Sequence, residues 1–161
     1  MPPKPPRPPH LPSLEWRWAL PPAGRDDVAA LERELGVGLP EDYVAVALHH
    51  HGGRPAKRLL DFGGEKEKVF QSLLGLRADP DNPGRTVLES HRNLRQNLAD
   101  AADPGIVPFA DDPAGNLYAF DYRGGEPPSV VYWDHELAAE DPESALTPVA
   151  GSFTELLGRL Y

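Results

Sequence analysis

Three short runs of this 161-residue chain carry side chains whose types and spacing could do chemistry. His49-His50-His51 sets three imidazoles in a row, the ligand type of many zinc and copper sites. Adjacent residues of a helix point about 100° apart, so three in succession do not converge on one ion as an i, i+4 pair does. A histidine near a helix C-terminus also meets the negative end of the helix dipole, which is a structural reason for it to be there. Asp134-His135-Glu136 flanks an imidazole with two carboxylates, and a small hydrolase could use His135 with Asp134 or Glu136 for proton transfer. The chain supplies no G-x-S-x-G elbow, no H-E-x-x-H helix and no phosphate loop to accompany that trio. Asp111, Asp112, Asn116 and Asp121 offer four oxygen donors, but not in the order of a calcium loop, and a strand-connecting turn accounts for them. The expectation is a chain with no catalytic residue, no metal and no cofactor.

A different use of the same region is recognition of a protein. Asp134, Glu136, Glu140, Asp141 and Glu143 follow Trp133 with no lysine or arginine between Arg123 and Arg159. Charge of one sign beside an aromatic residue attracts and then anchors a basic partner. With the acids of the preceding turn, the expected partner-binding residues are Asp111, Asp112, Trp133, Asp134, Glu136, Glu140 and Asp141. The formal charge of −9 agrees, since such a field repels phosphate backbones and draws in basic proteins. Direct nucleic-acid binding is not expected.

Composition bounds the rest. Cysteine is absent, which removes disulfides, thiolate nucleophiles and cysteine-based metal centres. No apolar run approaches the roughly 20 residues that cross a bilayer, and the N-terminus lacks the apolar core of a signal peptide, so a cytoplasmic protein is expected. Many of the 20 prolines fall in residues 1–13, which read as a disordered polyproline-like tail with PxxP spacing, ahead of one domain over residues 14–161.

The elements that must position these side chains follow from periodicity and caps. Leu14, Trp16, Trp18 and Leu20 alternate with Glu15 and Arg17, placing both tryptophans on one side of an extended segment. Asp26 or Asp27 caps a helix with Val28, Leu31 and Leu35 on one face. Gly36 closes it and Pro40 opens a second, more apolar helix that stops at Gly52-Gly53. Residues 57–62 and 69–74 read as a hairpin whose tip holds Gly63-Gly64 and a charged run. Thr86 with Glu89 opens a third helix, expected to end near residues 99–102, and Ser152 with Glu155 opens a last one. Between these, segments beginning at Ile106, Leu117 and Ser129 form an antiparallel meander, with Leu117, Ala119 and Asp121 facing one way and Tyr118, Phe120 and Tyr122 the other. The order describes an α+β fold: a single domain with helices packed around a largely antiparallel sheet.

Two regions also resemble a known family. Leu31-Glu32, Leu35-Gly36, Leu39-Pro40, Tyr43 and Gly52-Gly53, followed by Val107-Pro108-Phe109-Ala110, Gly115-Asn116, Asp121-Tyr122, Val130 to Glu136 and the Ser152 to Leu157 helix, are similar in order and spacing to the SUKH superfamily of Smi/Knr-type domains. Family members usually carry Asn before Gly-Gly, where this chain has His51. The resemblance implies a non-catalytic binding module, in bacteria most often an immunity protein that neutralises a polymorphic toxin, commonly a nuclease. It also implies, as a neighbouring role, a scaffold for regulatory protein interactions.

Overall fold

The computed structural model describes residues 11–81, 83–97, 105–141 and 144–161. The expected Pro-rich tail up to residue 10, the third helix's expected end and Glu143 lie outside the described residues. In chain order the elements are β1 (Trp16–Arg17), α1 (Arg25–Leu35), α2 (Glu41–His50), β2 (Arg54–Pro55), β3 (Leu59–Phe62), β4 (Glu65–Val69), β5 (Ser72–Leu73), α3 (Val87–Asn97), β6 (Ile106–Asp111), β7 (Leu117–Asp121), β8 (Ser129–Trp133), α4 (His135–Glu140), β9 (Leu146–Ala150) and α5 (Phe153–Arg159). One antiparallel sheet of five strands runs β5-β6-β7-β8-β9, and two small ribbons pair β1 with β2 and β3 with β4. This is the expected α+β fold.

Alternation along β7 holds as the sequence predicts. Tyr118 and Phe120 enter the main core, where Phe109 stacks on Phe120 at 4.2 Å and α2 and α5 cover that face through Tyr43, Phe153 and Leu156. Ala119 enters a second cluster on the other face with Leu94, Ile106, Val131, Trp133 and Ala145, against which Ala138 of α4 packs. Leu11 is buried in the main core, ahead of the expected start of the domain at residue 14.

The turn between α1 and α2 is scaffold, built as its residues require. Gly36 sits at φ +78 and its N–H bonds the Glu32 carbonyl, a left-handed helix end that suits glycine. Pro40 precedes α2 with φ −59. The Glu32 carboxylate accepts the Leu39 N–H at 2.9 Å, and Asp42 accepts both the N–H and the hydroxyl of Thr154, tying α2 to α5. The cap of α1 differs from expectation in one detail: Gly24 is the cap residue, and Asp27 reaches back to its N–H at 2.8 Å.

Two local expectations are corrected. The charged run Glu65–Val69 is not a loop at a hairpin tip but β4 itself, paired with β3 across Gly63-Gly64, while Ser72–Leu73 leaves the hairpin to join the main sheet. β4 is interrupted by a bulge, with Glu67 at φ +57 and one more residue on β4 than on β3 between the pairs Leu60–Lys68 and Phe62–Glu65, and its first three residues are exposed, so lysines and glutamates fit there without an apolar pattern to mark it. The two tryptophans also do not share a face. Trp18 has φ +58, which turns the chain after Arg17; Trp16 is half-buried and stacks on His50 at 5.6 Å, whereas Trp18 is 74% exposed. Alternation fails because it presumes extended backbone through Trp18.

The Gly52-Gly53 turn explains how that arm is seated. A Cβ on Gly53 would lie 2.8 Å from the His50 carbonyl and 3.3 Å from the Arg17 carbonyl, and one on Gly52 would lie 2.7 Å from Leu20. His51 completes the seat: its Nε2 donates to the Pro21 carbonyl at 2.8 Å, and its Nδ1 accepts the Leu76 N–H at 3.2 Å. This arrangement requires the neutral ring. Burial, the largest influence, holds the His51 pKa below the ordinary 6.5, although the bond to Pro21 acts the other way. The folded protein therefore binds fewer protons than the unfolded chain below pH 6.5, so this contribution to stability is full above that value and is lost as pH falls toward the folded pKa. Denaturant melts at roughly pH 7.5 and pH 5.5 should show a stability loss that shrinks in His51→Asn, whose side chain does not titrate; equal losses in both proteins would refute the assignment.

A candidate partner-binding face on the α4 turn

The structure divides the expected partner-binding residues between inside and outside. Asp112 is buried, with 9% of its surface exposed, because it organises the β6–β7 turn. Its carboxylate accepts the N–H groups of Ala114 and Asn116 at 2.9 and 2.8 Å and the Tyr132 hydroxyl at 2.5 Å. Asn116 extends this network: its Nδ2 donates to the Tyr132 oxygen at 2.6 Å, and its Oδ1 accepts from the His135 backbone N–H at 3.0 Å and pairs with His135 Nδ1 at 2.6 Å. Burial, followed by the bond to Asp112, pushes the Tyr132 phenol well above its ordinary range.

Trp133 is also inside, in the second core cluster, and its indole N–H is buried with no hydrogen-bond partner among the described residues. The strand pairing of β8 with β7 and β9 sends that ring into the sheet's covered face. Neither Asp112 nor Trp133 is therefore available to an incoming protein. Asp111 is partly buried and committed to Arg85 at 2.6 Å, with Ser72 donating to it at 2.8 Å. The oxygen-rich turn is thus accounted for by internal bonds, and no group of histidines and carboxylates among the described residues is arranged to hold a metal ion.

Outside, four acids gather on one short helix, an element absent from the sequence-based expectation. Asp134 is the cap residue of α4, its carboxylate accepting the N–H groups of Glu136 and Leu137 at 2.9 and 3.2 Å. Asp141 ends the helix and accepts from the Ser144 hydroxyl at 2.7 Å. Glu136 and Glu140 are exposed, four residues apart on one helical face, and form no ion pair among the described residues. Between them Leu137 is 42% exposed, one of three large hydrophobic side chains so exposed among the described residues. The sequence reading missed it, having assigned the apolar anchor to Trp133. The signal was present, since a cap at Asp134 followed by a short helix places Leu137 on the same side as Glu140 and Asp141.

Among the described residues the imidazole of His135 has no carboxylate partner of the kind a hydrolase needs. Asn116 holds Nδ1, and Asp134 is engaged with the helix N-terminus. The three histidines diverge as their spacing predicts: His49 is exposed, His50 lies under Trp16 and His51 is buried.

A second acidic concavity, a cleft of about 700 Å³ beside the start of α2, carries Glu32, Glu41, Asp42 and Glu126. Glu32 and Asp42 there serve Leu39 and Thr154, and Glu41 meets Arg25 at 3.3 Å. No helix among the described residues is long and apolar enough to cross a membrane. No curated relative matches the chain. The model of the SMI1 / KNR4 family (SUKH-1) matches residues 22–159, which takes in every helix and nearly every strand described above, and the chain belongs to that family.

Proposed function

We propose that this chain is a non-catalytic protein-binding module, an immunity protein that neutralises a basic toxin domain, such as a nuclease, by direct contact through the α4 turn. The observation that carries the reading is Leu137, an exposed apolar side chain set among Asp134, Glu136, Glu140 and Asp141. An apolar centre with a charged rim is the anatomy of a recognition surface, where the centre contributes affinity and the rim contributes encounter rate and selectivity. The net charge of −9 acts in the same direction by steering a cationic partner. Membership of the SMI1 / KNR4 family supports a binding rather than a catalytic role. The neighbouring reading, a regulatory scaffold, uses the same surface and differs in the partner.

The test is binding to a basic nuclease toxin domain, measured by surface plasmon resonance. Reversing Glu136, Glu140 and Asp141 to Lys should slow association by roughly 10-fold or more and flatten its salt dependence, while Leu137→Ala should mainly speed dissociation. Asp134 is left in place because it caps the helix. Unchanged kinetics in both variants would remove the α4 turn from the interface.

A further inference from the structure

We propose that the β1–β2 ribbon is a docking surface for the α4 turn of a second copy of this chain, so that molecules associate head to tail. Arg17 and Arg54 are direct partners across the ribbon, so their side chains leave one face with Cβ atoms about 5 Å apart. Like charges so placed repel. Glu15 lies 3.4 Å from Arg17, but Arg54 has no carboxylate partner among the described residues and its guanidinium lies over the Trp18 ring at 5.5 Å. Trp18 is the most exposed large hydrophobic side chain described, and it is held at φ +58. A bulky residue in that region is strained, and the strain persists only where surrounding structure enforces it. Here the Gly52-Gly53 turn and His51 seat the residues on either side.

The α4 turn is the counterpart with charge reversed. Glu136 and Glu140, at i and i+4, stand about 5–6 Å apart at Cβ and repel as the arginines do. Leu137 beside them is exposed, as Trp18 is beside Arg54. Two arginines and two glutamates of similar spacing, each pair flanked by an exposed apolar side chain, are complementary in charge.

They cannot satisfy one another within one molecule. The ribbon borders β5, where the Leu73 N–H bonds the Gly53 carbonyl at 2.9 Å, whereas α4 joins β8 to β9 at the far edge, with β6 and β7 between. Contact between different patches on successive copies is heterologous and builds closed rings where its rotation closes and open chains where it does not. The net charge of −9 on each copy opposes this at very low salt, where the screening length is roughly 30 Å. Near physiological salt, at about 8 Å, distant charges are screened while touching pairs still attract; near 1 M, at about 3 Å, the pairs weaken too. Association is therefore strongest at intermediate salt. It covers Glu136, Leu137 and Glu140, so it would compete with a protein held there, although the self-association stands whether or not that partner reading is correct.

Sedimentation equilibrium of the full chain from about 10 μM to about 1 mM, at low, physiological and high salt, tests this directly. The weight-average mass should rise from 17.6 kDa toward roughly twice that value or more at physiological salt and fall back at both extremes. The double variants Arg17→Glu/Arg54→Glu and Glu136→Arg/Glu140→Arg should each remain monomeric, and their equimolar mixture should associate again, because the ribbon of each then faces an α4 turn of opposite charge. Circular dichroism checks that both are folded; Arg17→Gln/Arg54→Gln is the milder replacement should the reversal fail to fold, and it should also remain monomeric. A wild-type protein that is monomeric throughout, association that survives both variants, or a mixture that stays monomeric would each overturn the proposal.

Discussion

Asp112→Ala should lower stability by about 3–4 kcal/mol, seen as a fall of roughly 10 °C in the thermal midpoint of a domain this size. The wild-type carboxylate is buried and satisfies two backbone N–H groups of its own turn as well as the Tyr132 hydroxyl of β8. Alanine leaves those donors inside with no acceptor, and the desolvation cost of each is then uncompensated. The effect spreads because Asn116, oriented by Asp112 and Tyr132, is what holds His135 at the start of α4. Asp112→Asn retains the shape and part of the acceptor capacity, and should cost about 1–2 kcal/mol. Calorimetry of the two variants checks the order; a loss below about 1 kcal/mol for Asp112→Ala would mean that the turn does not depend on this network. Because the same network supports α4, Asp112→Ala should weaken partner binding without Asp112 touching the partner.

Tyr43 yields the second large effect, with an instructive contrast. Its ring is fully buried against Phe109, Phe120 and Phe153 at centroid distances of 5.7, 5.2 and 5.4 Å. Tyr43→Ala empties the centre of the core and should cost about 3–5 kcal/mol, the range for deleting a buried aromatic ring. The hydroxyl itself has no hydrogen-bond partner among the described residues, and burial pushes its pKa well above the phenol range. Tyr43→Phe removes that unsatisfied group and keeps the ring contacts, so it should leave stability unchanged or raise it by up to about 1 kcal/mol. Guanidinium melts of both variants make the comparison; a loss of more than about 1 kcal/mol in Tyr43→Phe would show that the hydroxyl does have a partner.

These two positions also show how far the sequence reaches. Tyr43 was legible as a buried residue of an apolar helix, because helix boundaries at Gly36 and Pro40 and the run that follows are local properties of the chain. Its orphan hydroxyl was not, since satisfaction of a polar group depends on what distant strands bring beside it. Asp112 was legible as an acid in a turn but not as a buried one, because its partner Tyr132 lies twenty residues along the chain and meets it only when β8 pairs with β7.

The sequence by itself determined helices α1, α2, α3 and α5, the antiparallel meander of β6 to β8 and the two-sided burial of β7, which rest on short-range periodicity, caps and turn residues, and it carried the family in the order and spacing of its motifs. Tertiary structure decided which acids face solvent and which serve the interior, that Leu137 rather than Trp133 is the exposed apolar centre, and that Trp18 turns outward at a positive φ. The reason is physical: burial and electrostatic partnership are properties of pairs of groups brought together by packing, and the identity of a residue records only what it is able to do once its neighbours are chosen.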